Sequence, residues 1–148
     1  MAYMTLSTME RVLFLRKVPL FADVSPEDLE RVAELVEERG YAAGEVIASE
    51  GEIGDEEYIV IEGTIRVVQD RDGREHELAR RGAGDVVGGL SMLRQAPRIA
   101  SLVAEGPVRT ICIRYRDVES VLRERPQIAI AAMRVMADRL AEASRQHD

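Results

Sequence analysis

Apolar positions in the first 40 residues recur at helical spacing. Met9 to Leu15 suffices for a turn or two, and Val18-Pro19-Leu20-Phe21 then forms an apolar connector. Ser25-Pro26-Glu27-Asp28 has the form of a helix start, with an N-cap serine and a proline at the first helical position. Apolar positions from Leu29 onward mark one face of this helix, and Gly40 is predicted to end it.

From Tyr41 onward the period of the apolar positions changes to two. Short alternating segments separated by turn residues are typical of antiparallel strands. The predicted strands cover residues 45–49, 57–61, 64–69, 75–79, 99–104 and 108–114. Glu62-Gly63 is predicted to form a tight hairpin, and Asp70-Arg71-Asp72-Gly73 is predicted to separate the next pair of strands. This pattern favours a jelly roll or a small antiparallel barrel.

Helical spacing returns after Tyr115. A short helix is predicted over residues 117–123, and a longer one begins at Pro126 and continues to residue 144. The predicted apolar stripe of the longer helix consists of Ile128, Ala132, Val135, Met136 and Leu140. Two interpretations of the stripe stay open, burial against the chain's own barrel and a two-fold dimer seam.

The composition fits one soluble globular domain. The chain has 148 residues, of which 46% are hydrophobic and 32% charged, and no apolar run approaches the roughly 18 residues that span a membrane. No secretory signal is recognisable, and the single Cys112 cannot form an internal disulfide, so a cytoplasmic location is expected. The formal net charge of −7 argues against binding to nucleic acid or to an anionic membrane.

Residues that usually bind metals or carry catalysis are scarce. His76 and His147 are the two histidines, whereas cupin-type enzymes need several inside the barrel. His76 lies in a charged strand and is predicted at the surface, and Cys112 alternates with apolar residues and is predicted in the core. The acidic run at residues 55–57 is predicted to be a solvated strand start rather than a cation site. Neither an enzyme, a metal nor a cofactor is therefore expected.

The stretch GDVVGGLSMLRQAPRIAS, residues 84–101, combines adjacent glycines, a short apolar run and an arginine behind a proline. Gly88-Gly89 precedes enough residues for one helical turn, and the N–H groups of a first turn favour an anion. Arg98 can reach back to the same anion, and a charge-assisted arginine bond contributes roughly 1.5–3 kcal/mol. On spacing alone, a phosphate cradle and a structural loop with an exposed arginine both stay open.

Several motifs recur together at fixed offsets. They are Val18-Pro19-Leu20-Phe21, Tyr41, Gly44-Glu45-Val46-Ile47, Glu50-Gly51-Glu52, Gly54-Asp55, Tyr58, Gly63, Val67 and the stretch 84–101. This pattern, over roughly residues 15–140, resembles the cyclic-nucleotide-binding domain family, as in the catabolite activator protein and the regulatory subunits of protein kinase A. The resemblance implies an α+β fold, an eight-stranded antiparallel β jelly roll flanked by N- and C-terminal helices.

The same resemblance implies one domain over residues 1–148. Its parts would be a helical segment to residue 40, a β-roll over 41–114 that includes a phosphate-binding cassette at 84–101, and C-terminal helices over 115–148. The domain would be a regulatory sensor that binds a cyclic nucleotide, cAMP or cGMP, or a related phosphate ligand. The ligand-binding residues that it implies are Gly88, Gly89, Leu90, Ser91, Arg98, Ile99 and Ala100. The C-terminal helix would close over the base or pair with a second subunit.

The cassette departs from the family pattern at two positions. The family usually has Phe-Gly-Glu-Leu where this chain has Val87-Gly88-Gly89-Leu90. By resemblance that glutamate accepts a hydrogen bond from the ribose 2′-hydroxyl, and losing a charged hydrogen bond costs roughly 1.5–3 kcal/mol, or about 10- to 100-fold in affinity. Ile99 stands where the family favours alanine, serine or threonine, and its side chain either crowds the ligand or points into the barrel.

Two functions therefore stay open. One is a sensor with weakened nucleotide binding, and the other is a degenerate domain that acts as a protein–protein interaction module without nucleotide. An unidentified effector protein would be the partner in either case, and a homodimer through residues 126–144 is a further option. DNA binding is not expected, because the family's transcription factors carry a helix-turn-helix after the long helix and this chain ends at Asp148.

Overall fold

The computed structural model describes residues 5–146. The chain divides into two compact units. The helical unit holds the segments up to Leu35 and from Val118 onward, and the β unit holds Val36–Asp117. That the whole chain forms one domain stays a prediction.

The helical unit is built from short amphipathic helices at both ends of the chain. Its elements are α1 (Thr8–Leu15), a 3-10 turn (Pro19–Phe21), α2 (Pro26–Ala33), most of α4 (Tyr115–Glu124) and α5 (Gln127–Gln146). The predicted start of α2 is confirmed, since the hydroxyl of Ser25 accepts a hydrogen bond from the N–H of Asp28 and proline occupies the first turn. No described helix is long and apolar enough to cross a membrane.

Helix α2 ends at Ala33, so the prediction that Gly40 ends it is wrong. Residues Glu37–Tyr41 instead form strand β1 in the β unit. The helical spacing of Leu35 and Val36 is therefore coincidental, because the pairing of residues 37–41 with a distant strand outweighs local helix propensity.

A buried carboxylate joins the two ends of the helical unit. Asp28 on α2 accepts hydrogen bonds from Nη1 of Arg125 at 3.0 Å and from Nε2 of Gln127 at 3.2 Å. Arg31, also on α2, forms an ion pair with Glu124 of α4 at 2.8 Å. The N- and C-terminal segments thus fix one another through polar contacts as well as through apolar packing.

The apolar stripe predicted on α5 is not a single uniform face. Ile128 is buried within the structure, whereas Met136 and Leu140 are exposed and the other two members are half-buried. Exposed apolar side chains also include Ile130 and Met133. The first turn of α5 therefore packs inward, and an apolar surface lies along the remainder of the helix.

The β unit contains one antiparallel sheet with six strands in the described part of the chain. The strands are β1 (Glu37–Tyr41), β2 (Val46–Ala48), β3 (Glu56–Arg71), β4 (Arg74–Arg81), β5 (Val86–Val87) and β6 (Ser101–Arg114). The main order is β1-β6-β3-β4, with β2 paired to β6 and β5 paired to β3. The jelly-roll-like fold class is as predicted, but the strand count is six rather than eight.

Two predicted pairs of short strands are single long strands, and β1 and β5 lie where the sequence pattern predicts no strand. The segments 57–61 and 64–69 both lie in β3, and 99–104 and 108–114 both contribute to β6. The hairpin predicted at Glu62-Gly63 is wrong: Gly63 has φ +92° within β3, and the pairing register with β6 shifts on both sides of Glu62. A two-residue hairpin turn of the common type needs positive φ at both residues. Glycine here forms a bulge instead.

The turn predicted at residues 70–73 is confirmed as the β3–β4 hairpin. Asp72 and Gly73 both have positive φ, at 54° and 78°, and Arg71 pairs with Arg74 across the turn. Inside the sheet lies a cluster of buried side chains: Ala48, Tyr58, Val60, Ile65, Val87, Leu102, Ala104, Val108 and Cys112. The candidate site borders this cluster: Val87 and Leu102 also line the cavity of the site, and the Tyr58 ring lies under Arg98.

Candidate functional site

The glycine-rich stretch forms a short strand, a tight turn and a six-residue helix. Strand β5 pairs with β3 through Val87 and Tyr58, and the helix that follows is α3 (Gly89–Arg94). Gly88 caps this helix with φ +85°, and an added Cβ there would lie 2.8 Å from Nη1 of Arg98. Glycine is therefore required at residue 88 both by backbone conformation and by the closeness of the arginine.

Backbone hydrogen bonds anchor the segment that carries Arg98. Its N–H donates to the carbonyl of Glu52 at 2.7 Å, and its carbonyl accepts from the N–H of Gly51 at 2.8 Å. The N–H of Gly54 donates to the carbonyl of Ala96 at 3.0 Å. The turn at residues 51–54 thus holds Arg98 in position from the main chain, so the side chain starts from a fixed point.

The side chain of Arg98 is buried, with 6% relative exposure. Its Nη2 donates to the main-chain carbonyl of Glu56 at 2.9 Å, and its Cζ lies 5.7 Å from the ring centroid of Tyr58. No acidic side chain of the described residues forms an ion pair with it. A buried charge without a counter-ion is costly, so this guanidinium is suited to an anion that enters from outside the chain.

A cavity of about 190 Å³ lies beside Arg98. Its lining consists of Val67, Val87, Gly88, Ser91, Arg94, Ala96, Pro97, Arg98, Ile99, Ala100 and Leu102. Two of these described residues are cationic and none is acidic, which favours a negatively charged group. The volume is below the roughly 300–1,000 Å³ of sites that enclose a whole drug-sized ligand. The cavity is therefore suited to one part of a larger ligand.

The structure brings most of the predicted site residues together. Gly88, Ser91, Arg98, Ile99 and Ala100 all line the cavity. Gly89, by contrast, is not among the described lining residues, and only the backbone of Leu90 is described, as part of α3. Arg94 also lines the cavity and was not predicted, although its position four residues before Arg98 in a segment that turns back offered a signal.

Ile99 lies at the rim of the cavity. Its side chain is 68% exposed, so the alternative in which it points into the barrel is wrong. Its main-chain carbonyl accepts a hydrogen bond from Nε2 of Gln69 at 2.9 Å. The side chain is thus placed where it would meet a ligand from the solvent side, and Ala100 next to it is buried.

Glu57 is a buried acidic residue, contrary to the prediction that it is solvated. The run at residues 55–57 was expected to be solvated, and Asp55 is indeed exposed, but Glu57 retains only 7% exposure. Burial raises the pKa of its carboxyl to about 7. The continuous apolar run after it, Tyr58 to Ile61, was a usable signal, because such runs indicate strands buried on both faces.

The position of Glu57 bears on the glycine that departs from the family pattern. An added Cβ on Gly89 would lie 2.5 Å from Oε1 of Glu57 and 3.0 Å from its Cδ. The carboxyl group of Glu57 therefore occupies the place where a side chain at residue 89 would begin.

Glu56 fixes the other side of the Tyr58 ring. Arg39 donates to both oxygens of the Glu56 carboxylate at 3.0 Å, and the Tyr58 hydroxyl donates to Oε2 at 2.5 Å. Burial alone would raise the pKa of Glu56, but the hydrogen bonds from Arg39 and Tyr58 outweigh it and keep the pKa below its usual value. The carboxylate stays ionised and holds the ring on which Arg98 lies.

Other candidate residues stand apart from this site. His76 is exposed on β4, as predicted, and His147 lies outside the described residues. Cys112 belongs to the apolar cluster, and burial raises the pKa of its thiol to about 12, which opposes a role as a nucleophile. Within residues 5–146, no group of three or more histidine, cysteine, aspartate or glutamate side chains is placed to hold a metal ion.

Comparisons with known proteins identify the family and the fold of this chain. A family model described as the cyclic nucleotide-binding domain matches residues 38–125. The N-terminal domain of a transcriptional regulator from Streptomyces coelicolor superposes with a TM-score of 0.81 at 33% identity, over 88% of this chain and 94% of that one.

Two sequence relatives illustrate the range of proteins with similar domains. A cyclic AMP receptor protein from Thermus thermophilus is 30% identical over 131 residues, which cover 88% of this chain and 61% of that protein. A cAMP-dependent protein kinase regulatory subunit from Mycosarcoma maydis is 37% identical over 93 residues, 63% of this chain but 18% of that protein. The chain thus spans less than two thirds of the length of these relatives. With the family model matching more than half of its length, the chain belongs to the cyclic nucleotide-binding domain family.

Proposed function

We propose that this domain is a regulatory sensor that binds a cyclic nucleotide, cAMP or cGMP, or a related phosphate ligand in the cavity beside Arg98. The observation that carries the proposal is the buried guanidinium of Arg98, which has a main-chain carbonyl and an aromatic ring as neighbours but no acidic partner among the described residues. A phosphate diester would supply the missing negative charge and accept hydrogen bonds from this side chain.

The cavity supports the assignment of the phosphate to this place. Arg94 adds a second cation to its lining, and Gly88 lets a ligand approach the backbone closely. Its volume suits the cyclic phosphate with part of the sugar, while Ile99 at the rim would meet the remainder of the nucleotide. We expect the absence of a side chain at residue 89 to weaken nucleotide binding.

Calorimetric titration of the purified domain with cAMP and with cGMP tests the proposal. Arg98→Ala should lower the affinity at least 10- to 100-fold, because a charge-assisted arginine bond contributes roughly 1.5–3 kcal/mol. Arg74→Ala is the matched control, since Arg74 is exposed on β4 and away from the cavity lining. Equal affinity of wild type and Arg98→Ala, or no binding of either nucleotide to the wild type, would contradict the proposal.

An interaction module without nucleotide is the second candidate. Apolar side chains are exposed on the cassette and on the turn that holds it, namely Ile53, Leu93 and Ile99. Such a surface suits binding to an effector protein. In this case the domain would bind no small-molecule ligand. Absence of any heat change or thermal stabilisation with cyclic mononucleotides, cyclic dinucleotides and inorganic phosphate would favour this candidate over the sensor.

The remaining parts of the proposal concern assembly and place in the cell. Exposed apolar residues along α5 suit a homodimer through residues 126–144. The proposal includes no catalytic role, no DNA contact and no membrane contact. It places the domain in the cytoplasm, where a single cysteine such as Cys112 stays reduced.

A further inference from the structure

Glu57 is a buried carboxyl group that lacks a donor. Its side chain is 7% exposed, and no described residue donates a hydrogen bond to it or forms an ion pair with it. The Glu57 oxygens are not among the fully buried, unpartnered side-chain atoms of the described residues, so they can accept a hydrogen bond from water or from a ligand. Burial without a partner also accounts for the raised pKa of this carboxyl, for which desolvation is the cause.

The carboxyl group lies against the backbone of the cassette. Its Oε1 lies 2.5 Å from the position that a Cβ of residue 89 would take. One residue earlier, the Cβ position of Gly88 is 2.8 Å from Nη1 of Arg98. Each of these consecutive glycines therefore has a buried charged or titratable group at the position of a missing side chain, Arg98 beside Gly88 and Glu57 beside Gly89. Either glycine with a side chain would displace the group beside it.

These two groups define complementary requirements for a ligand. Arg98 needs a negative charge, whereas Glu57 needs a hydrogen-bond donor. Glu57 does not line the cavity itself, but its carboxyl reaches Gly89, the neighbour of the lining residue Gly88. A glutamate side chain has several rotatable bonds. Because Gly89 has no side chain, a small rotation can bring the Glu57 carboxyl past it toward the cavity.

We propose that Glu57, from strand β3, supplies the hydrogen-bond acceptor that residue 89 lacks, and that it binds a sugar hydroxyl of the nucleotide whose phosphate lies at Arg98. The inference rests on the proposed function. The acceptor then belongs to strand β3 instead of helix α3, and glycine at residue 89 leaves room for the Glu57 carboxyl group. The chain would thus still bind the sugar hydroxyl, although helix α3 contains no acidic side chain.

A matched pair of ligands isolates this contact. We would measure the affinities for cAMP and for its 2′-deoxy analogue by calorimetry, on the wild type, Glu57→Leu and Glu57→Gln. Glu62→Gln is the control, because Glu62 is exposed on the same strand and the change in charge is the same. The ratio of the two affinities reports on the hydroxyl contact alone, since both ligands carry the same phosphate and base.

The wild type and Glu62→Gln should prefer cAMP by about 10- to 100-fold, and Glu57→Leu should reduce this preference to within about twofold. Glu57→Gln should lower the ratio several-fold, because a neutral amide is a weaker acceptor; it decides the matter if Glu57→Leu does not fold. An equal ratio in wild type and Glu57 variants overturns the inference and leaves the sensor proposal standing. Failure of the wild type to bind either nucleotide overturns both.

Discussion

The guanidinium of Arg98 lies over the ring of Tyr58, with Cζ 5.7 Å from the ring centroid, and the hydroxyl of that ring donates to Glu56 at 2.5 Å. The ring thus supports the cation on its face while its edge is held by a carboxylate. A cation–π contact of this kind contributes about 0.5–2 kcal/mol. The two functions of Tyr58 can be separated by substitution.

Tyr58→Phe keeps the ring and removes the hydroxyl, so we expect nucleotide affinity within about threefold of the wild type. Tyr58→Leu removes the ring from beneath Arg98, so the affinity should fall a further several-fold and the free energy of unfolding by about 2–4 kcal/mol. Calorimetry and urea denaturation measure both effects. If Tyr58→Leu binds cAMP as well as Tyr58→Phe does, the ring does not position the arginine.

Glycine at residue 88 is expected to be essential for reasons beyond its backbone conformation. Gly44 has nearly the same φ, +82°, with nothing within 4 Å of an added Cβ, whereas at Gly88 that atom would meet Nη1 of Arg98 at 2.8 Å. Gly44→Ala should cost about 1–2 kcal/mol of unfolding free energy from strain alone. Gly88→Ala should cost at least as much and also weaken cAMP binding about 10-fold or more. Equal nucleotide affinity in the two variants would show that Arg98 is not displaced.

Restoring the acidic residue at position 89 should not succeed alone. In Gly89→Glu the new Cβ would meet Oε1 of Glu57 at 2.5 Å, and two carboxylates would share one place. We therefore expect less than a threefold gain in cAMP affinity from Gly89→Glu. Added to Glu57→Ala, the same change should raise the affinity about 10- to 100-fold over Glu57→Ala. Equal gains in both backgrounds, measured by calorimetry, would refute this coupling between residues 57 and 89.

The raised pKa of Glu57 predicts how stability depends on pH. Burial raises this pKa from 4.5 to about 7, so between these values the folded state keeps a proton that the unfolded state has lost. The folded state then binds more protons, and stability falls as pH rises, by about 3 kcal/mol in total. Glu57→Gln should remove that part of the pH dependence, while Glu62→Gln should not. Urea denaturation across this range measures it, and parallel curves for wild type and Glu57→Gln would contradict the prediction.

The exposed apolar residues on α5 predict self-association. Met133 and Leu140 are 58% and 68% exposed, so a monomer would leave these apolar side chains in contact with water. We expect the wild type to sediment as a dimer at micromolar concentration and the double variant Met133→Glu/Leu140→Glu to sediment as a monomer. Arg134→Glu serves as a control on the same helix, since it adds negative charge next to the stripe. A wild type that is monomeric in analytical ultracentrifugation would rule out this surface as a dimer seam.

Local patterns in the chain were sufficient for the features that depend on nearest neighbours. Asp72-Gly73 predicts its hairpin because both residues tolerate positive φ, and Ser25-Pro26 predicts the start of α2 because both satisfy the requirements of a first turn. The glycines before α3 and the arginine at residue 98 left a phosphate cradle and a structural loop both open, because spacing alone does not bring Arg98 back to the helix start at Gly89. Resemblance to a known family favoured the cradle and suggested a cyclic nucleotide as its ligand.

Distant pairing decided what these patterns could not. Glu37–Tyr41 is a strand and not the end of α2 because β6 pairs with it, and Gly63 is a bulge and not a hairpin because β6 continues past it. The burial of Glu57 has the same origin. The acidic run 55–57 predicts a solvated carboxylate, but in the folded chain the Glu57 carboxyl lies against Gly89 of the cassette. Burial is a property of contacts between segments far apart in the chain. The apolar run after Glu57 indicates a buried strand, but only the tertiary structure shows that the Glu57 carboxyl group lies against Gly89.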